Sequence, residues 1–268
     1  MSVQTQLKRI TVPEIRSHKG AKPVVCLTCY HAHTAKLLDA YVDLMLVGDS
    51  LGMVMHGLET TVGVTLDMMI THAKAVMRGS KRALVVVDMP FGSYEESPNI
   101  AFRNAARIIQ ETGATAVKLE GGTRMAETIQ YLTQRGIPVM GHLGMTPQSV
   151  NAFGGFKVQG RGGAAEAIIG DAKALQEAGC FAIVLELIPA ELASRIRSEV
   201  SIPVIGIGAG ADCDAQVLVW TDLMGLTEKA PRFARAYRDL RGEMSGAVKE
   251  WMDDVATGRF PNEAETFH

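Results

Sequence analysis

The sequence predicts an α/β chain whose eight parallel strands and intervening helices close into a (β/α)8 barrel. Three observations carry that. Eight short runs rich in Val, Ile and Leu recur, each apolar nearly throughout, the pattern of parallel strands covered on both faces. Segments of helical character separate them. A single barrel of this kind takes about 250 residues, close to the 268 here. The competing architecture is an open doubly wound sheet. It more naturally carries a Gly-x-Gly-x-x-Gly turn after its first strand, and "LTCYHAHT" has none.

The strand runs are 23–30, 44–50, 83–90, 116–122, 138–145, 180–189, 202–210 and 215–220. A helix over 64–79 starts from Thr65 as N-cap. The next, 97–113, has Ser97 as cap, Pro98 in the first turn and Gly113 as terminator. A third, 164–179, closes on Gly179. Ile137-Pro138 and Ile202-Pro203 mark where the chain leaves a helix and enters a strand. The Gly-rich connection 146–163 has no clear period and is long for a compact domain, which favours a lid over an inert excursion. Past Trp220 the chain continues in helical segments, "PRFARAYRDL" and "MSGAVKEWMDDV". We expect one barrel domain over 1–268, with helices at about 227–256 as an appendage for assembly or for capping the barrel.

Bulk properties exclude several classes. Net charge is -2 with scattered Lys and Arg, so no nucleic-acid or anionic-membrane surface is indicated. No apolar run approaches the about 18 residues of a membrane span, and "MSVQTQLKRI" is too polar for a signal peptide. A soluble cytoplasmic chain is expected. Cys26 and Cys29 form a Cys-x-x-Cys within a strand, where residues three apart face opposite ways. Without a second such pair they are expected to be reduced packing residues.

Chemistry in a barrel sits at the C-terminal ends of the strands. The second strand ends in Asp49 and Ser50, the third in Asp88, and the fourth carries Lys118 and Glu120 on one face. The fifth carries His142 and the sixth Glu186. Each has a plain structural role open to it: a helix cap for Asp49 or Asp88, an ion pair for Lys118 and Glu120, a packing contact for His142. "GIGAG" after the seventh strand is a tight turn or a phosphate turn; lacking a glycine partner after strand eight, the turn is favoured. Five consecutive strands bringing ionisable groups to one rim argue for a shared purpose. Converging carboxylates need a cation, and an all-oxygen set suits Mg²⁺. No His-Glu-x-x-His or Cys/His cluster points to zinc. Mg²⁺ beside a Lys and a His fits a 2-oxo acid activated as its enolate. Glu186, on a different strand and in apolar company, is then the natural base.

The motifs "LMLVGDSLGM", "DMPFGSY", "VKLEGG", "GHLGMTPQSVNAFGGFKVQGR", "VLELIP" and "IPVIGIGAG" resemble, in order and spacing, those of the ketopantoate hydroxymethyltransferase (3-methyl-2-oxobutanoate hydroxymethyltransferase) family over nearly the whole chain. The resemblance implies a TIM barrel of the phosphoenolpyruvate/pyruvate type with extra C-terminal helices. It implies transfer of a one-carbon unit from 5,10-methylenetetrahydrofolate to 3-methyl-2-oxobutanoate, giving 2-dehydropantoate for pantothenate and coenzyme A synthesis. It implies Asp49 and Asp88 as Mg²⁺ ligands with Glu120 near or on the metal through water, and Ser50, Lys118 and His142 as substrate contacts beside them. Glu186 is implied as proton acceptor, and a homodecamer as the assembly.

Two departures stand out. The family's Ala-Tyr-Asp after strand one is Cys29-Tyr30-His31 here, and the segment after strand eight, "TEKAPRF", is shortened. Two alternatives compete: another Mg²⁺-dependent 2-oxo-acid lyase or mutase barrel, and a non-catalytic homologue. The first usually carries a reactive Cys or acid on a mobile loop, and 146–163 has neither.

Overall fold

The structure is a computed structural model and describes residues 8–268. Most of the polar N-terminal stretch discussed above lies outside those residues. The chain divides into two compact units, Met1–Val219 and Trp220–His268.

The first unit is a closed barrel of eight parallel strands in sequence order, with β1 paired to β8. The strands are β1 Val24–Thr28, β2 Leu44–Val47, β3 Leu84–Asp88, β4 Ala116–Glu120, β5 Val139–Gly144, β6 Ala182–Glu186, β7 Val204–Ile207 and β8 Ala215–Leu218. Its helices are α1 Val12–Ser17, α2 Ala32–Leu38, α3 Leu51–Val54, α4 Leu66–Gly79, α5 Pro98–Thr112, α6 Ala126–Thr133, α7 Val150–Phe153, α8 Ala164–Glu177 and α9 Ala190–Glu199. The expected caps are present: Thr65 accepts from Met68 N–H, Ser97 from Ile100 N–H, and Gly113 ends α5 in the left-handed region. The strands stop one to three residues earlier than expected.

Alternate residues fill the interior: Cys26, Leu44, Leu46, Leu84, Val86, Ala116, Met140, Ala182, Val184, Ile205 and Val217 form one buried cluster. Ile15 of α1 joins it, with Ile10 and Val12 packed against it, so α1 closes the floor of the barrel. A capping box between Thr11 and Glu14 fixes the start of that plug. Cys26, Cys29 and Cys180 are free and buried, and burial pushes the Cys29 and Cys180 thiols up to about 12.

Two carboxylates lace the floor. Asp39 accepts from Ser80 Oγ and from the N–H groups of Lys81, Arg82 and Ala83. Asp214, immediately before β8, accepts from Gly20 N–H, Val204 N–H, Lys19 Nζ and Arg197 Nε at 2.8–3.0 Å. Burial alone would raise both acids, but these donors outweigh it and hold both pKa values below the usual carboxylate range.

The second unit holds α10 Trp220–Leu223 and α11 Leu240–Ala256. The helix expected over 231–240 is absent. There Tyr237 N–H bonds Leu223 O and Leu240 N–H bonds Met224 O, so the segment serves the free carbonyls ending α10 instead of building its own ladder. On α11, Met244, Val248, Trp251, Met252 and Val255 form an exposed apolar stripe at helical spacing.

Candidate active site

The alternation that fills the core carries straight on to the mouth. Val86 leads to Asp88, Ala116 to Lys118 and Glu120, Met140 to His142, and Val184 to Glu186. Register then sets them side by side: Asp88 opposite Lys118, Glu120 opposite His142, Gly144 opposite Glu186. Asp49 lies just past β2. Its N–H donates to Asp88 Oδ2 at 3.0 Å, and the two carboxylates are near enough for the Asp88 charge to raise Asp49. Gly48 suits the turn, since a Cβ there would meet Ser50 Oγ at 2.9 Å. All the predicted residues therefore gather at one rim.

The rim is dry and rich in charge. Asp49, Asp88, Lys118, Glu120 and His142 are all buried. Lys118 Nζ lies 3.1 Å from Asp88 Oδ1, a buried ion pair. Glu120 Oε1 is without a hydrogen bond. Burial first, then the charges of Asp88 and Glu120, raise the Asp49 pKa well above the carboxylate range. Burial also raises Asp88, against the pull of Lys118. Burial opposes the Lys118 charge, but Asp88, Glu120 and Asp49 outweigh it and lift its pKa.

His142 sits between partners. Nδ1 is 3.1 Å from Lys118 Nζ and 3.4 Å from Glu120 Oε1, and Nε2 is 3.3 Å from Glu186 Oε2. Burial and then Lys118 oppose the imidazolium; Glu120 and Glu186 outweigh them and hold its pKa up at about 9. The neutral ring accepts from Lys118, while the imidazolium turns Nδ1–H toward Glu120. Glu186 is not sealed among apolar side chains as the sequence suggested. Its side chain is 15% exposed, because Leu185 points away and the carboxylate faces the mouth.

Three residues here escaped the sequence reading. Gln148, on the long fifth connection, donates from Nε2 to Asp49 Oδ2 at 2.7 Å and to Met89 O, and from its N–H to Glu120 Oε2. Tyr94 donates to Gln148 Oε1 at 2.6 Å and accepts from Glu120 N–H. Tyr30, fully buried, is bonded to Ser50 Oγ at 2.8 Å. All three stood inside or beside quoted motifs, but only their partners reveal their work. The departure at His31 also gains an explanation. His31 is the N-cap of α2, its Nδ1 accepting from Thr34 N–H, so it performs the capping an acid would perform.

The backbone next to Glu186 is constrained. Leu187 has φ 47°, a left-handed conformation costly for a bulky residue. It is held by Leu187 N–H to Ile207 O and by Gln159 N–H to Leu187 O. Gly144, at φ 89°, passes so close to Glu186 O that a Cβ would lie 2.2 Å from it.

Among the described residues, no three or more His, Cys, Asp or Glu side chains are arranged to hold a metal between them. Glu120 Oε2 accepts from Gln148 N–H, and Oε1 lies 3.4 Å from His142 Nδ1. Asp49 and Asp88 still fit a hard divalent cation. They are neighbours, both buried, and the charge of Asp88 raises Asp49, so a cation between them would offset a repulsion that Lys118 alone meets. Mg²⁺ takes one or two protein carboxylates and keeps several waters, so two suffice.

Residues 9–263 match the family model described as ketopantoate hydroxymethyltransferase. The 3-methyl-2-oxobutanoate hydroxymethyltransferase of Parvibaculum lavamentivorans is 60% identical over 268 residues, covering 100% of this chain and 98% of that one. That of Bartonella quintana is 57% identical over the same length and shares. The barrel also resembles the crystal structure of 2,3-dimethylmalate lyase, a PEP mutase/isocitrate lyase superfamily member, with TM-score 0.57 at 15% identity over 96% of this chain and 91% of that one. The full-length match, with the rim assembled on that barrel, shows that the chain belongs to the ketopantoate hydroxymethyltransferase family.

Proposed function

We propose that the chain transfers a hydroxymethyl group from 5,10-methylenetetrahydrofolate to 3-methyl-2-oxobutanoate, consuming one water and giving 2-dehydropantoate and tetrahydrofolate. The observation that carries this beyond the family name is the pair of buried, mutually repelling carboxylates at Asp49 and Asp88 beside Lys118, His142 and Glu186. Asp49 and Asp88 would hold Mg²⁺, with Glu120 reaching it through water. Bound there, Mg²⁺ supplies a Lewis acid that stabilises negative charge on the substrate's carbonyl oxygen. Lys118 and His142 present positive N–H groups to the anionic oxygens of the 2-oxo acid, and Ser50, steadied by Tyr30, completes the substrate contacts. Glu186 takes the C3 proton, with His142 at 3.3 Å orienting its carboxylate. The carbon so freed forms its bond to the folate's methylene carbon, the methylene's bonds to folate nitrogen break, and water supplies the new hydroxyl oxygen.

The substrates are small molecules. Among the described residues no helix is long and apolar enough to cross a membrane. We place the reaction in the cytoplasm, where free buried thiols stay reduced. The exposed stripe on α11 supports assembly of copies of the chain, and we propose the decamer that the family resemblance implies.

The test is formation of 2-dehydropantoate from both substrates, before and after removal of divalent metal with a chelator. Turnover that disappears with the metal and returns with added Mg²⁺ is expected. Absence of turnover from folded, Mg²⁺-loaded protein would overturn the assignment.

A further inference from the structure

A cavity lies beside the mouth, on the outer side of β4 and β5. It measures about 370 Å³, at the small end of the roughly 300–1,000 Å³ of small-ligand sites. The residues after Glu120 and after His142 form one wall, and Gly144 there abuts Glu186 O. Gln159 forms another, tied by its N–H to Leu187 O, one residue past Glu186. The cavity therefore shares its wall with the base.

The lining is amphipathic in a specific way. Leu143, Phe153 and Ile168 give apolar surface. Asp171 gives a fixed carboxylate: Oδ1 accepts from Thr123 N–H and Thr123 Oγ1, both at 2.7 Å, and the side chain packs so tightly on Gly122 that a Cβ there would lie 2.0 Å from it. Asp171 lines the cavity, and its Oδ2 makes no hydrogen bond among the described residues. Arg124 stands at the edge, with no ion pair among them.

A flat heterocycle presenting two adjacent N–H donors, on an arm ending in carboxylates, matches this set. One of these donors can meet Asp171 Oδ2, the oxygen that the Thr123 donors leave free. The ring packs on Leu143, Phe153 and Ile168, and the anionic arm passes Arg124. We propose that this cavity holds the pterin head of the reduced-folate co-substrate and so delivers its one-carbon unit to the mouth. The proposal rests on the transfer reaction proposed above. The volume accommodates the bicyclic head but not the whole cofactor, so the benzoyl-glutamate arm lies outside.

The test uses the full chain and two variants. Ala167→Phe fills the cavity from α8, and Arg124→Gln removes the exposed cation. Two readouts separate the claims. Exchange of the C3 proton of 3-methyl-2-oxobutanoate with solvent needs Mg²⁺ but no folate. Binding of 5-formyltetrahydrofolate, by calorimetry, needs no chemistry. Ala167→Phe is expected to weaken folate binding at least tenfold, and Arg124→Gln three- to tenfold, while exchange continues as in the unaltered protein and reports an intact fold. If Ala167→Phe loses exchange by misfolding, Arg124→Gln alone decides. Unchanged folate affinity in a variant that still exchanges would overturn the cavity assignment. Loss of exchange and turnover in the unaltered protein would instead overturn the reaction itself.

Discussion

The floor and the mouth of this barrel both bury carboxylates, and they treat them in opposite ways. At the floor, Asp214 collects four donors and Asp39 at least four, and both acids are held below their ordinary range. At the mouth, Asp49 and Asp88 are under-supplied and pushed upward. At the mouth, deeper burial and neighbouring carboxylate charge win; at the floor, the converging donors outweigh burial. The chain evidently can satisfy a buried acid. The floor's acids tie loops together, whereas two acids short of donors at the strand ends are what the cation and substrate roles proposed above would call for.

The largest effect should come from the mouth. Glu186→Gln is expected to reduce C3 proton exchange by about 10²–10⁴-fold, the usual contribution of a positioned base, with the thermal midpoint little changed. Exchange monitored by proton NMR checks this; persistence at the unaltered rate would remove Glu186 from the role. Gln148→Leu comes next. It strips Asp49 of its donor and Tyr94 of its acceptor, and should lower Mg²⁺ affinity on the order of tenfold, as loss of a partner that orients a metal ligand does.

The floor should answer in stability alone. Asp214→Asn is expected to destabilise the fold by about 2–3 kcal/mol, because Lys19 and Arg197 lose their partner. Denaturant unfolding should show that loss, while KM for the 2-oxo acid stays unchanged. A smaller effect is pH-dependent. Asp39 and Asp214 have depressed folded pKa values, so their stabilisation is present above the unfolded value of about 3.9 and disappears as pH falls through the folded values. The mouth has the opposite sign. Asp49 and Asp88 have raised folded values, so metal-free protein should lose stability as pH climbs above about 3.9 and on through them. Thermal unfolding from pH 3 to pH 8, with and without Mg²⁺, separates the two signs.

Much of this could be read from the residues alone. Eight two-sided strands leave nearly continuous apolar runs, and a polar residue ending such a run marks the mouth; Asp88, Lys118, Glu120, His142 and Glu186 were legible on that basis. Their mutual geometry was not. Gln148 reaches Asp49 across 99 positions of sequence, and its amide carries no signal of that partner. The segment 231–240 looked helical because its composition suits a helix. Its backbone is instead engaged by the carbonyls that α10 leaves open.

The difference between floor and mouth comes down to whether Asp49 and Asp88 await a cation. Calorimetric titration of Mg²⁺ in the presence of 3-methyl-2-oxobutanoate measures that directly, on the unaltered protein, Asp88→Asn and Asp214→Asn. Binding by the unaltered protein, a loss on the order of 100-fold in Asp88→Asn, and unaltered binding in Asp214→Asn are predicted. Equal affinity in Asp88→Asn and the unaltered protein would contradict the account.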